Sequence, residues 1–510
     1  MPSNSRTYNS IRNSLVALSV FAINFLLQFV SRKVFLDHLG TEVLGLNTTA
    51  TSLLQFLNLA EMGVGAAITF TLYKPLADKD YNTINEIVSV QGWLYRNIAI
   101  FVICGSGIMM CFFPLIFSKM ELPLWYAYAS FGVLLFSSLL SYFVNYRQIV
   151  LTANQQEYKI QGSYRVALLI KLLFQILCLS YFDNGYVWWL ILEATFAVIA
   201  SAWLNAVIKK NCPYLKTTVS KGKELKDRYP EIITKIKQFF FHKIAGFVLT
   251  QTSPIIIYAY TTLALVAKYG NYMIIVNGII SLLNAIFNGM AASVGNLVSE
   301  NNKDRILGVF RELFTSRFFI VTTLSFGIFI LANPFITHWI GSEYQLDKST
   351  LALIVFTFYM NTQRSVVDSF INAYGLFKDV WAPVVEAILN IGCSVTLGYF
   401  FGLNGILLGV IISLILIVFT WKPYFLFTNA LKYPVVWYVK LYLKHILSFI
   451  VVFLCVTNVL RIIDINPESS IRNFAMYGVV GLTAYVIMLM ALLLLVEPGM
   501  RRFVRRLIKI

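Results

Sequence analysis

Apolar runs of roughly 20 residues or more recur along the whole chain and leave it few ways to fold. Each such run crosses about 30 Å of hydrocarbon as a helix rising about 1.5 Å per residue, with every backbone amide bonded inside the segment. Windows of that length predict about fourteen spans, near 11–36, 43–73, 93–118, 124–151, 160–182, 186–208, 239–260, 269–299, 313–340, 349–374, 380–401, 403–428, 437–462 and 471–496. Residues 399–405 read as either a tight turn or a kink. With 58% hydrophobic and 13% charged residues among 510, and a mean hydropathy of +0.71, the chain lacks the polar surface a soluble protein needs. The first run is too long for a signal-peptide core and reads as an uncleaved first helix. Cysteines are scattered, without metal spacing.

Lysine and arginine mark the sides. Outer connections hold only Lys119, Lys268 and Lys348, whereas the polar stretch 209–238 and the tail from Arg501 to Lys509 are strongly basic. The asymmetry predicts that both termini are cytoplasmic. It also accounts for the net charge of +17 through anionic lipid headgroups, each nearby cation contributing on the order of 1 kcal/mol, without nucleic acid as a partner. Residues 231–240 have the pattern of an amphipathic helix lying on the inner surface, within a linker between two halves. The halves echo each other: Gly45, Ala60, Ala66 and Ala67 match Gly270, Ala285, Ala291 and Ala292 at a constant offset. Arg147 with Asn154 corresponds to Arg364 with Asn372. Matches six spans apart preserve orientation and imply parallel repeats.

Charges inside spans are costly, at about 2.5–3.5 kcal/mol or more on insertion, so each needs a partner, a wet cavity or a function. The cations are Arg32, Arg147, Arg165, Lys171, Lys243 and Arg364; the anions are Glu61, Glu193, Asp368 and Glu386. Lys171 and Arg364 sit deepest and suit an anionic group such as a diphosphate facing a cavity. For Arg364 a second reading stands beside it, neutralisation by Asp368 four residues on. Arg32, Arg165 and Lys243 lie near span ends, where long side chains reach the interface. Amide stripes (Asn24 with Gln28; Asn277, Asn284 and Asn288) either join helices by hydrogen bonds or line a hydrated cavity. Glu61, Glu193 and Asp368 are candidates for coupling to ions, Glu61 and Glu193 as a proton or sodium site. No nucleotide-binding loop, His-Glu-x-x-His or metal cluster occurs, so no enzyme, no bound cofactor and no metal are expected.

The stretch Leu59-Ala60-Glu61-Met62-Gly63-Val64-Gly65-Ala66-Ala67-Ile68, continuing to Leu72-Tyr73-Lys74-Pro75-Leu76-Ala77, resembles the polysaccharide-biosynthesis flippases. These are the O-antigen and capsule-repeat exporters of the multidrug/oligosaccharidyl-lipid/polysaccharide superfamily. The segment from Arg147 to Gln155 fits the same family. The resemblance implies an all-α polytopic membrane protein with two six-helix lobes and two C-terminal helices. Its parts would be an N-terminal lobe at 1–208, a cytoplasmic basic linker at 209–238, a C-terminal lobe at 239–428, and the last two spans with a basic tail at 429–510. It also implies transfer of polyprenyl-diphosphate-linked oligosaccharide across the bacterial cytoplasmic membrane, by lobes rocking about a cationic cavity and drawing on a proton or sodium gradient. A polysaccharide polymerase and glycosyltransferases of the same pathway would be its partners. A drug or metabolite exporter of the same superfamily and a membrane glycosyltransferase or polymerase are the alternatives. Lys171, Arg364, Arg147, Lys243, Arg32, Asn24, Gln28, Asn284 and Asn288 are the cavity candidates.

Overall fold

A computed structural model describes residues 3–287, 290–300, 302–376, 379 and 381–508, without the side chains of 3–11, 14, 241–246, 249–251, 285–286, 290–293, 299 and 507–508. The described residues are helical, with no strand among them. They form two compact units, residues 1–267 and 268–510.

Among the described residues, ten helical segments are long and apolar enough to cross a membrane. Two of these are hairpins, each turned by a glycine. In α1 (Ser3–Leu57), Gly40 breaks the helix with φ +77°, a conformation that side chains with a Cβ rarely adopt. Contacts on either side show the reversal. Phe35 stacks edge-on against Trp189 and Asn47 accepts a hydrogen bond from Ser130, next to Tyr186; Asn13 meets the Gln155 carbonyl and Asn58 meets Tyr142. The second hairpin turns at Gly402, φ +55°, inside α14 (Trp381–Ser413), which continues as π-helical and α-helical turns to Leu431. Its arms touch through glycines. A Cβ on Gly405 would overlap the Leu397 carbonyl, and one on Gly409 the Ser394 backbone; Ser394 Oγ donates to the Ile406 carbonyl at 3.0 Å. The reversal resolves 399–405 as a turn.

Unit 1 continues with α2 (Val64–Asp78), α3 (Tyr81–Cys111), α4 (Trp125–Phe143), α5 (Val166–Tyr181), α6 (Gly185–Asn211), α7 (Pro230–Gln251) and α8 (Ser253–Tyr260). The helix α9 (Leu263–Phe287) spans the division between units. Unit 2 holds α10 (Met290–Ser299), α11 (Lys303–Trp339), α12 (Lys348–Gln363), α13 (Ser365–Ala373), the α14 hairpin, α15 (Val435–Ile463), α16 (Ile471–Val496) and the short basic helix α17 (Pro498–Ile508). At Thr252 and Arg364, inside the expected spans at 239–260 and 349–374, the backbone keeps helical φ and ψ, and the Arg364 amide still bonds to the Met360 carbonyl, so α7 runs on into α8 and α12 into α13.

The polar stretch between α6 and α7 is strapped to the first turns of α3. Asn85 holds the Tyr214 carbonyl and the Lys216 amide, Ser89 takes the Thr218 amide, and Glu86 accepts from Arg228 and Tyr229. Burial beside Glu86 pushes the Tyr229 hydroxyl up to about 12. Residues 231–240, expected as an amphipathic helix on the inner surface, form the start of α7 and pack on α2. Ile232 is fully buried, Lys235 lies 3.9 Å from the Phe70 ring, and Gly63 leaves no room for a Cβ against the Ile236 backbone.

Candidate functional site

Three clusters of charge lie inside the spans. In unit 1, Lys171 on α5 donates to both carboxylate oxygens of Glu193 on α6, at 2.7 and 2.8 Å. Gln175, one turn on, donates to Glu193 at 3.0 Å and to the Trp189 carbonyl at 3.3 Å. Both charged side chains are nearly buried, at 12% and 13% exposure. The expectation of an unpaired Lys171 facing a cavity is corrected here: the ammonium is closed off by its counter-ion. At mid-span an uncompensated charge is so costly that a carboxylate on the adjacent helix is the cheapest solution.

The second cluster surrounds Glu61, in the 3₁₀ turn Asn58–Glu61 that separates α1 from α2. Its Oε1 accepts from the Tyr95 hydroxyl at 2.9 Å, while Tyr142 and Ser138 bond to Asn58. Gly63, at φ +93°, restarts the helix. Among the described residues Glu61 has no cation beside it. A carboxylate held only by hydroxyls, at a break where backbone groups leave the helical ladder, has the chemistry to take up a proton or a small cation.

In unit 2 the third cluster has four members. Arg364, where α12 passes into α13, donates to Asp368 and to Glu386 at 3.0 Å each; Lys422 donates to Asp368 at 2.8 Å. Glu386 is fully buried, and its second oxygen has no partner. Of the two readings of Arg364 the pair with Asp368 is the one seen, and the guanidinium also forks to a second carboxylate, Glu386. Asp368 serves two cations at once.

The remaining candidates are scattered. Arg32 donates to the Ala267 carbonyl at 3.3 Å. Arg147 is half-buried against Tyr146, its Nε 3.3 Å from that hydroxyl. Asn24 is half-buried, and Gln28 and Asn284 are exposed. The Lys243 side chain and Asn288 lie outside the described residues.

Sequence reasoning missed Arg317. It is 2% exposed, its Nε and Nη2 reach the Thr362 carbonyl at 3.3 Å, and its guanidinium lies 4.1 Å from the Phe287 ring. Its third nitrogen, Nη1, is buried without a partner. The residue stood four positions into the expected span 313–340, close enough to the edge to be passed over. The helix actually begins at Lys303, so Arg317 is well inside it. Two further charges near that start, Arg311 and Glu312, pair with Glu497 and Arg506, fastening α17 to α11.

No family model matches the chain, and no curated protein matches it. Solved structures do. The lipid II flippase MurJ, in its inward closed conformation, superposes with a TM-score of 0.64 at 14% identity, over 93% of this chain and 97% of that one. A multidrug resistance MATE family transporter of the MOP superfamily, inward-facing, gives 0.59 at 13% identity, over 82% of this chain and 99% of that one. A MOP superfamily transporter from Pyrococcus furiosus gives 0.50 at 14%, over 84% and 97%. The chain is therefore a multi-pass, all-helical membrane protein with the fold of MOP-superfamily transporters.

Proposed function

We propose that the protein is a flippase that moves polyprenyl-diphosphate-linked oligosaccharide repeat units across the bacterial cytoplasmic membrane by alternating access, both termini facing the cytoplasm. The observation that carries this reading is the reach of the fold. The likeness to the flippase extends over 93% of the chain and the likeness to the multidrug transporter over 82%. The difference is about a tenth of the chain, the scale of the last two spans, α15 and α16.

Charge exchange is the mechanism the clusters support best. A diphosphate is a stronger, multiply charged acceptor for a guanidinium than a carboxylate is. It would compete with Asp368 and Glu386 for Arg364, and a proton taken up by the displaced carboxylate would neutralise it. Glu61, held by hydroxyls alone, is the proposed site of proton or sodium coupling. In this scheme the Lys171–Glu193 pair binds nothing and joins two helices, so Lys171 leaves the substrate path.

The test measures surface glycan in cells that carry Arg364→Lys, with membrane levels of protein matched to wild type. The ammonium keeps the charge but cannot fork, and surface glycan is expected to fall at least tenfold. Wild-type glycan in both Arg364→Lys and Arg364→Ala would end the charge-exchange scheme. A multidrug exporter is the second reading, favoured by the likeness to the MATE transporter. Drug hypersensitivity with intact surface glycan in a deletion strain would establish it instead.

A further inference from the structure

Unit 1 contains a cavity of about 320 Å³ that belongs to none of the three charge clusters, lined by Arg12, Val16, Tyr158, Lys159, Gly162, Ser163, Trp203 and Val207. One end is cationic. The Arg12 guanidinium lies 4.2 Å from the Tyr158 ring centroid, and Lys159 Nζ is held by the amide oxygens of Gln156, at 2.8 Å, and Asn211. Neither cation meets a carboxylate among the described residues. The site is built rather than incidental. Asn13 fixes the turn that carries Tyr158, accepting from the Tyr158 amide at 2.8 Å and donating to the Gln155 carbonyl at 3.0 Å. A π-helical stretch, Gln161–Arg165, widens the helix where the cavity opens, and Gly162 has nothing within 4 Å of where a Cβ would lie.

Polarity changes along one direction. Val16 is one turn beyond Arg12 on α1. Val207 and Trp203 are one and two turns from Asn211 on α6, which runs the opposite way. The wall therefore passes from two cations to an apolar slot that climbs along the spans.

The geometry points to a structural binding site for an anionic glycerophospholipid, its phosphate between Arg12 and Lys159 and its first methylenes along Val16, Val207 and Trp203. Two uncompensated cations call for an anion, and the apolar slot beside them calls for a chain attached to it. The volume accommodates a phosphate and the start of a chain but no oligosaccharide, which separates this occupant from the proposed transport substrate.

The full-length protein, delipidated in a neutral detergent, is titrated with phosphatidylglycerol and with phosphatidylcholine, and bound lipid is counted by native mass spectrometry. Phosphatidylglycerol is expected to be retained in preference. Arg12→Gln with Lys159→Gln is expected to weaken it about 30-fold, two cations at about fivefold each. Gly162→Leu, which fills the slot without meeting the protein and leaves both cations in place, is expected to weaken it comparably. Arg501→Gln with Arg505→Gln, on the exposed basic tail, is expected to leave it unchanged. Equal retention of the two lipids, unchanged binding in the double variant and Gly162→Leu, displacement by millimolar inorganic phosphate, or displacement by an equimolar polyprenyl diphosphate would each overturn the assignment.

Discussion

The two ionic clusters that bridge neighbouring helices differ in how they are closed. In unit 1, Lys171 and Glu193 form a one-to-one pair between continuous helices, with Gln175 occupying a remaining lone pair. In unit 2, Arg364, Asp368, Lys422 and Glu386 share two positive and two negative charges, and one oxygen of the fully buried Glu386 is left over. A closed pair can only hold helices together. A cluster with spare acceptor capacity can redistribute its bonds when a proton or a competing anion arrives. In the proposed scheme the unit 2 cluster meets the substrate anion and the Lys171–Glu193 pair only holds helices together.

The sharpest way to break the comparison is to remove one partner from each cluster. Glu386→Ala should lower stability by about 3–5 kcal/mol, because its loss leaves two cations against one carboxylate in a buried site. Thermal unfolding in detergent, followed by tryptophan fluorescence, would show it. An unchanged midpoint would mean that water already screens the cluster.

Next in size is the scaffold beneath Glu386. Gly409→Val should cost roughly 1–3 kcal/mol or prevent accumulation in the membrane, since its Cβ has no space beside the Ser394 backbone. Normal yield and melting behaviour would show that the hairpin arms can separate.

A smaller effect is expected where both members of the closed pair go. Lys171→Met with Glu193→Leu should remain within about 1.5 kcal/mol of wild type and should keep full transport, whereas Glu193→Ala alone should be strongly destabilised. Loss of transport in the stable double variant would move function into unit 1 and remove the contrast.

The smallest expected change in stability is at Glu61. Glu61→Gln keeps the bond to Tyr95 and should shift stability by under about 1 kcal/mol while abolishing the dependence of transport on an ion gradient. Gradient-dependent flipping by the purified variant in proteoliposomes would shift the coupling site elsewhere.

Much of this architecture was legible in the chain. Bilayer-length apolar runs mark the spans because lipid tolerates no unsatisfied backbone, and 399–405 stood out as a boundary between two such runs. The bond from Arg364 to Asp368 could be anticipated from four-residue spacing on one helix. Arg317 could not: it was hidden by a span boundary that hydropathy placed ten residues late. The strap on α3 was equally hidden, since Asn85, Glu86 and Ser89 look like ordinary solvent-facing residues until residues 214–229 return to them.

By itself the sequence determined that the chain lives in a membrane, where most of its helices run, and most of the residues that put charge inside them. These properties follow from hydropathy against a slab of fixed thickness and from spacing along a single helix, and both are local. Tertiary structure alone decided that Lys171 meets Glu193, that Arg364 reaches Glu386 and that Lys422 shares Asp368. Such pairings depend on how each helix is rotated about its axis, and that rotation is set by packing against neighbours whose identity no local pattern contains.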